Sequence, residues 1–263
     1  MHRAAVVLLV ALLTGACESD SPPPSFGDAR ALADAATTAT IAGGSAKFTT
    51  DVSAGTVRSK SQGQARFSAA GTSLSMTTDF AGEPLELRLA GKSLYAKVPE
   101  GSQGEIGAGK PWVEVSASGT DPFSEVLGGS LSQLATQNDP VRTFAEIRTA
   151  GSFASAERTS LDGIATEHYR VEIDLTKLGS DLPAGLSSDT VAQLRGKVGG
   201  FPVELWLDDA HRPRQIVLDL SPILTASGAP DGASAKITAR YTAWGDPVDV
   251  QAPPPDQVGR VTG

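Results

Sequence analysis

A period-two alternation of apolar and polar residues is the feature that most constrains this chain. It is clear in five segments, and weaker over residues 48–52, 57–67 and 74–80, and it is typical of β-strands with one buried face. Short, turn-rich connections such as residues 208–213 favour antiparallel hairpins. The apolar members of the five segments are Leu85, Leu87, Leu89, Tyr169, Val171, Ile173, Leu175, Val203, Leu205, Leu207, Ile216, Leu218, Leu220, Ile237, Ala239, Tyr241 and Ala243.

Helical patterns interrupt this alternation at several places. Residues 29–41 are an alanine-rich candidate, and Ser188 can cap a short helix that ends at Gly199. Between these, Asp121 and Asp139 are each followed by proline, which predicts two helix starts and therefore a helical hairpin. The apolar stripe of its first helix contains Phe123, Val126, Leu127, Leu131 and Leu134.

These signals predict an α+β fold. The expected order is a helix, about six strands, the helical pair, two strands, a short helix and three closing strands. Antiparallel strands with one wet face need a cover on the other face, and the apolar stripes of the helices are the available cover. A curved antiparallel sheet wrapped over helices is therefore expected.

The N-terminus has the order of a signal peptide, with a basic start, an apolar run over residues 4–13 and then small residues. A ten-residue helix is roughly 15 Å long, too short for a bilayer core of about 30 Å. Cys17, the only cysteine, follows directly, and in an exported chain it is an idle thiol, half of an intermolecular bridge or a site of chemistry.

The residues around Cys17 resemble a bacterial lipobox, although Thr14 stands where leucine is usual. This resemblance implies that a diacylglyceryl group is attached to the thiol and that the signal peptide is cut just before it. The two acyl chains would hold the protein stably at the outer face of the cell membrane. The alternative is a chance cysteine after an ordinary cleavable signal. Residues 18–25 contain three consecutive prolines and predict a polar, semi-extended tether.

Composition excludes several function classes. The formal net charge is −8 and no basic cluster occurs, so nucleic acid is a poor partner. The segment from Gly104 to Lys110 resembles a phosphate loop, but Pro111 replaces the magnesium-binding hydroxyl and a strand pattern follows. Asp208 and Asp209 are adjacent in a turn and predict a solvated hairpin tip. No catalytic residue, metal site or cofactor is predicted, and the aliphatic sheet face by itself indicates only a core.

Three further stretches carry a resemblance to a known family. "HYRVEIDL" from His168, "FPVELWLDDAHRPRQIVLDL" from Phe201 and "YTAWGDPVDVQAPP" from Tyr241 resemble actinobacterial envelope lipoproteins of the LppX and LprG type. Those proteins are similar in fold to the periplasmic carriers LolA and LolB. The resemblance covers residues 28–255 and consists of structural motifs, none of which is a catalytic signature.

The resemblance implies a strongly curved antiparallel sheet, a half-barrel, with helices covering its concave face. The cavity that they enclose would accept acyl chains of lipids or lipoglycans, and the protein would be a noncatalytic carrier at the cell envelope. Phe123, Val126, Leu127, Leu131 and Leu134 would form the helical cover of that cavity. Its wall would consist of Leu85, Leu87, Leu89, Tyr169, Val171, Ile173, Val203, Leu205, Leu207, Ile216, Leu218, Ile237 and Tyr241.

The domain organisation expected has four parts. Residues 1–16 are a lipoprotein signal peptide, 17–27 the lipidated cysteine and Pro/Ser-rich tether, 28–250 a single LolA-like lipid-binding domain, and 251–263 a Pro-rich flexible tail. The expected partners are acyl chains, the membrane through Cys17, and an envelope transporter or other membrane protein. The alternative function is an anchored, non-enzymatic interaction or sensor domain with a packed core that acts on a protein partner.

Overall fold

The structure is a computed structural model that describes residues 26–80, 82–115, 124, 128–178, 192–194, 196–230 and 232–260. Its α-helices are α1 (Ala29–Gly43), α2 (Gln103–Ile106), α3 (Gly129–Thr136), α4 (Pro140–Ala150) and α5 (Ser221–Ala226). Two 3-10 turns, Glu100–Ser102 and Pro255–Gln257, accompany them. The strands are β1 (Ser45–Ala54), β2 (Val57–Ser68), β3 (Gly71–Phe80), β4 (Glu83–Ala90), β5 (Ser93–Lys97), β6 (Trp112–Val115), β7 (Gly151–Leu161), β8 (Ile164–Asp174), β9 (Gly200–Leu207), β10 (Pro213–Asp219), β11 (Ala235–Thr242) and β12 (Val258–Gly259).

The described residues place all twelve of these strands in one sheet, in the order β12-β6-β5-β4-β3-β2-β1-β11-β10-β9-β8-β7. Every neighbouring pair is antiparallel except β12 and β6, which are parallel. The first half of the sheet consists of β1 to β6 with β12, and the second half consists of β7 to β11. The two halves meet where β1 pairs with β11. The α+β class and the antiparallel arrangement predicted from the sequence are confirmed.

The two faces of the sheet differ in composition. On one, the core face, alternate side chains join a hydrophobic cluster with residues of α1, α3 and α4. On the other, the outer face, the intervening side chains are mostly polar and exposed or half-buried. Helix α1 packs on α4 and also contacts β1, β2 and β7, while α4 contacts β7 and β8. The helices thus cover the core face, as the sequence pattern predicts.

Both ends of α1 have clear local causes. Asp28 is extended, and its carboxylate accepts a hydrogen bond of 2.7 Å from the backbone N–H of Ala31, which caps the first turn. Gly44 ends the helix with a positive φ of 75°, a conformation that glycine adopts without steric cost. Leu32, Ala33 and Ala36 form the fully buried side of the helix.

Helix α4 begins at the second predicted start signal. Asp139 accepts a 3.0 Å hydrogen bond from the N–H of Val141, and Pro140 occupies the first helical position. Its buried side includes Phe144 and Ile147, which join the core cluster. The first start signal, at Asp121 and Pro122, lies outside the described residues, as does Ser188.

The turn between β7 and β8 follows from its two residues. Asp162 and Gly163 both have positive φ, 51° and 77°, as a two-residue type I′ turn requires. Leu161 and Ile164 are the paired residues that flank it. A two-residue turn of this kind fixes the register of the β7–β8 hairpin, which is the longest hairpin in the second half of the sheet.

The C-terminal segment from residue 246 to 260, here termed the strap, crosses the outer face of the first half-sheet. The side chains of Gln64 and Arg66 donate hydrogen bonds to the carbonyls of Asp249 and Val248, at 2.7 and 3.1 Å. Further along, β12 pairs with β6 beside the buried Trp112. Within the stretch expected to be a Pro-rich flexible tail, Val258 and Gly259 therefore pair with the sheet.

Two details differ from the sequence-based expectation. The alternation that was extended to Leu220 ends at Asp219, and Leu220 instead precedes α5, a helix that was not predicted between the closing strands. Likewise β11 ends at Thr242, and Ala243 has a positive φ of 52°. In both places the chain turns while the apolar alternation continues, so the pattern alone places the strand end too late.

Candidate functional site

The thirteen residues predicted to form a cavity wall all lie in strands of the sheet. Eleven of them are no more than 7% exposed and belong to the hydrophobic core cluster. Leu85 and Leu89 are partly buried and pack against that cluster. The structure thus places all of the predicted wall residues on the core face, in two groups that lie on different strands.

Strand register arranges the wall in straight rows. Val171, Val203, Leu218 and Ile237 are direct cross-strand neighbours from β8 to β11, which makes one aliphatic row across four strands. Beside it, Tyr169, Leu205, Ile216 and Ala239 form a second row. Together the two rows form a broad apolar surface without a charged side chain.

A second apolar patch lies at the other side of the core face. Leu87 pairs with Met76 on β3 and with Ala96 on β5, and Leu89 pairs with Leu74 and Leu94 in the same way. Between this patch and the two rows lie β1 and β2, whose core-face residues include Phe48 and Ala65. The predicted wall is therefore continuous through residues that the sequence analysis did not assign to it.

A buried polar network interrupts the apolar surface where the helical hairpin meets β1. The hydroxyl of Thr50 donates to Asn138 Oδ1 at 2.5 Å, and Asn138 Nδ2 donates to the carbonyl of Leu134 at 2.7 Å. The Tyr241 hydroxyl lies 3.4 Å from the Asn138 carbonyl, to which it donates. Asn138 is fully buried. The network ties the junction of α3 and α4 to the sheet, and no short sequence motif indicates it.

Burial also raises the pKa values of two ionisable groups at this junction, Asp139 and Tyr241. It raises the pKa of Asp139, although hydrogen bonds from Thr72 and from the Val141 N–H and the charge of Arg142 act in the opposite direction. Burial likewise raises the pKa of the Tyr241 hydroxyl, and the nearby Asp139 carboxylate raises it further. Tyr241 therefore remains a neutral hydrogen-bond donor.

The predicted helical cover is described in part. Leu131 is buried in the core cluster, and Leu134 is partly buried against it. Their helix, α3, contacts β4. Phe123, Val126 and Leu127 lie outside the described residues, and so does Cys17.

Three cavities lined by described residues lie away from this apolar interior. Two of them, of about 470 and 520 Å³, are on the outer face over β1, β2 and β3. The third, of about 180 Å³, lies at the ends of β7 and β8 beside the turn that contains Asp208 and His211. Asp208 itself holds that turn, because its Oδ1 accepts hydrogen bonds from the N–H groups of Ala210 and Arg212.

His168 has partners that sequence reasoning did not find. Its two ring nitrogens lie 3.1 Å from carboxylate oxygens of Glu157 and Glu204, and its ring stacks on Trp206 with 4.1 Å between centroids. Both nitrogens can donate only when the imidazole is protonated. Because Glu157 and Glu204 come from neighbouring strands, the register of the sheet was needed to see the group. Each ring nitrogen of His168 therefore faces a carboxylate oxygen of a neighbouring strand.

Within the described residues, no group of three or more histidine, cysteine, aspartate or glutamate side chains is placed to hold a metal ion. None of the helices in this part of the chain combines the length and apolar character needed to cross a membrane.

Comparisons with known proteins give structural matches only. No protein-family model matches this chain, and no curated protein does. Among solved structures, the lipoprotein LppX of Mycobacterium tuberculosis matches with a TM-score of 0.49 and 16% identity, over 85% of this chain and 98% of that chain. LprF of Mycobacterium bovis also gives 0.49 and 16%, over 89% and 99%. MucB gives 0.39 and 13%, over 87% and 61%. The resemblance indicated by the sequence motifs is thus accompanied by structural matches over most of this chain.

Proposed function

We propose that this protein is a membrane-anchored lipoprotein that binds acyl chains of lipids or lipoglycans and carries or shelters them at the cell envelope. The observation that carries the proposal is the apolar core face, on which two uncharged rows from four strands lie beside a second aliphatic patch on β3 to β5. An aliphatic surface of this kind suits a flexible chain that has no fixed shape. The motifs around His168 and Phe201 give the same expectation from the sequence.

The energy available to such a site is sufficient for a carrier. Burying about fifteen methylenes contributes on the order of 12 kcal/mol, at roughly 0.8 kcal/mol each, before the costs of binding. Hydrophobic burial is also non-directional, so cargo with different head groups can share one apolar interior. No catalytic group is required for this activity.

The proposal includes the architecture around the site. The sheet would curve as a half-barrel, and Phe123, Val126 and Leu127 would complete the cover begun by Leu131 and Leu134. Residues 28–250 would form the binding domain, held at the outer face of the cell membrane by the lipidated Cys17 and the tether. An envelope transporter or other membrane protein would load or unload the cargo.

Lipid copurification tests this function. The full chain carrying Cys17→Ser, which removes the attachment point of the anchor, is expressed in an actinobacterial host and analysed by native mass spectrometry. Solvent extraction then identifies any bound lipid. We expect one lipid or lipoglycan per chain at near-stoichiometric amount. A chain that emerges without lipid, and that also takes up no added diacyl lipid, would contradict the proposal.

One observation favours a second candidate, an anchored interaction or sensor domain with a packed core. Eleven of the predicted wall residues are at most 7% exposed, so protein atoms already cover them. A dry interior would leave function to a protein partner at the surface. The two candidates differ in what the interior tolerates, and that difference is measurable.

A further inference from the structure

The described chain begins beside one end of the sheet's second half. Phe26 is partly buried against the core cluster. The centroid of its ring lies 5.0 Å from that of His211 and 6.0 Å from that of Tyr169. His211 belongs to the turn over residues 208–212, which joins β9 to β10. Phe26 is therefore held near the end of the sheet that carries the β9–β10 turn, here termed the turn end.

The tip of the β7–β8 hairpin protrudes at the turn end. β9 ends at Leu207, which pairs with Glu167 of the antiparallel β8. β8 begins three residues before that pair, at Ile164, so the hairpin extends past the end of β9 by about 10 Å, at about 3.3 Å per residue. Ile164 is 37% exposed although its side chain is aliphatic. The protruding tip thus presents an apolar side chain to its surroundings.

One other large apolar side chain in the described part of the chain is exposed, and it lies at the opposite end of the sheet. This residue is Val57, which is 63% exposed. It pairs with Ala54 across the two-residue β1–β2 turn, and Ala54 pairs with Ala235, where β11 begins beside the end of β10 remote from the turn end. Exposure alone therefore does not tell which end would meet a membrane.

The length of chain before Phe26 distinguishes the two ends. Nine residue steps separate Cys17 from Phe26, and an extended chain covers at most about 3.3–3.6 Å per residue, so the reach is about 30 Å. Strand β9 alone, Gly200–Leu207, is about 25 Å long. A tether that ran back along the sheet to the opposite end would spend most of its reach on that path. Towards the turn end, the same reach readily spans the roughly 10 Å by which the hairpin protrudes.

We infer that the turn end faces the membrane and that the tip of the β7–β8 hairpin contacts the lipid surface through Ile164. The inference rests on one part of the proposed function, the lipid anchor at Cys17. An aliphatic side chain at a protruding tip gains by leaving water for the boundary between head groups and acyl chains. The contact is shallow, because the exposed carboxylate of Asp162 in the same turn stays among the head groups.

Quenching by brominated lipids tests this orientation. The full chain is expressed in an actinobacterial host, its acylation at Cys17 is checked by intact-mass spectrometry, and it is added to preformed phosphatidylcholine vesicles with or without brominated acyl chains. Ile164→Trp and Val57→Trp each add one indole to the three native ones, and the emission of the added indole is the difference from the parent chain. We expect bromine to cause a loss of this emission for Ile164→Trp and none for Val57→Trp, because bromine quenches only indoles close to it.

Val57→Trp is the matched control, because it places the same ring at an exposed aliphatic position beside a two-residue turn at the other end. Leu161→Trp is a second reporter on the tip, since Leu161 is the half-buried cross-strand partner of Ile164. Near-ultraviolet circular dichroism shows which variants keep the parent's tertiary structure. Stronger quenching of Val57→Trp, equal quenching at the two ends, or no quenching of a folded tip variant would overturn the inference.

The same preparations separate a failure of the orientation from a failure of the anchor. A chain that carries no acyl groups at Cys17 would refute the anchor in the proposed function, and this inference with it. An acylated chain that is quenched at Val57 would refute the orientation alone. The binding of cargo in the apolar interior is tested independently by lipid copurification with Cys17→Ser.

Discussion

Gly63 shows how one residue fixes the packing of the core face. A Cβ at this position would lie 2.4 Å from the Ser75 carbonyl oxygen and 2.7 Å from Cζ of Phe48. The ring of Phe48 therefore lies against the bare backbone of β2. We expect Gly63→Ala to destabilise the fold by about 1–3 kcal/mol, the usual cost of over-packing. Chemical denaturation measures this, with Gly104→Ala as control because its Cβ would meet no atom within 4 Å. Equal stabilities of the two variants would contradict this account.

Asp139 couples stability to pH. Burial raises its pKa above the ordinary value of 3.8. At pH values between 3.8 and the folded pKa, the folded chain therefore holds a proton that the unfolded chain has released. The stability that this carboxyl contributes is therefore complete below pH 3.8 and is lost as the pH rises through the folded pKa. Asp139→Asn keeps a good N-cap acceptor and removes the buried charge. We expect it to raise the melting temperature at pH 7, by an amount that shrinks as the pH approaches 3.8.

Thermal unfolding at a series of pH values measures that difference. Asp28→Asn is a suitable comparison, since Asp28 also caps a helix, α1, and is exposed. A destabilised Asp139→Asn variant at pH 7 would show that the ionised cap stabilises α4 by more than its burial costs.

At the scale of elements, removal of the strap can be followed by the fluorescence of Trp112, the residue that pairs with β12. Trp112 is 5% exposed, lies under the guanidinium of Arg88 at 4.9 Å and neighbours β12. Ending the chain after Asp249 should expose this indole and shift its fluorescence to longer wavelength. The other two tryptophans, Trp206 and Trp244, are replaced by phenylalanine so that the emission reports Trp112 alone. An unchanged spectrum would mean that the strap does not shield the ring.

The elements also show what a sequence pattern can and cannot predict. Helix α1 was expected at residues 29–41 and spans Ala29–Gly43, because its cap and its alanine-rich face are both local signals. Helix α5 was missed although Ser221 and Pro222 begin it, since the preceding strand alternation suggested continuation. The strap was missed for a different reason: it has no periodicity, and its contacts with Gln64 and Arg66 join residues more than 180 positions apart.

The same limit applies to the candidate site. Period two tells which residues share a face, and for that reason the wall residues were found on one face of the sheet. It does not tell which side chains meet across strands, so the Thr50–Asn138 contact and the partners of His168 needed the register. Nor does alternation distinguish a residue that packs against protein from one that packs against cargo, because both require an apolar side chain.

For the molecule as a whole, the sheet separates two kinds of chemistry by the thickness of one backbone layer. Aliphatic rows lie on the core face under the helices, and polar and charged side chains lie on the outer face over β1, β2 and β3.

Leu205→Trp is the substitution that separates a lipid cavity from a packed core. Leu205 is fully buried between Tyr169 and Ile216 in the middle of the wall. In a cavity, the larger ring occupies space that cargo would fill, so bound lipid per chain should fall while cooperative unfolding is retained. In a packed core the same ring costs about 1–3 kcal/mol or more and lowers stability whether or not lipid is present.

Val217→Trp is the matched control, because Val217 lies on the neighbouring strand but on the outer face and is half-buried. It should change neither lipid content nor stability by a comparable amount. Native mass spectrometry and urea unfolding are measured on the same preparations of both variants. Loss of lipid with retained stability for Leu205→Trp alone supports the carrier, since only an interior with room for a chain can accommodate the ring. Loss of stability without any lipid in the parent chain favours the packed sensor domain, whose function would then depend on its surface.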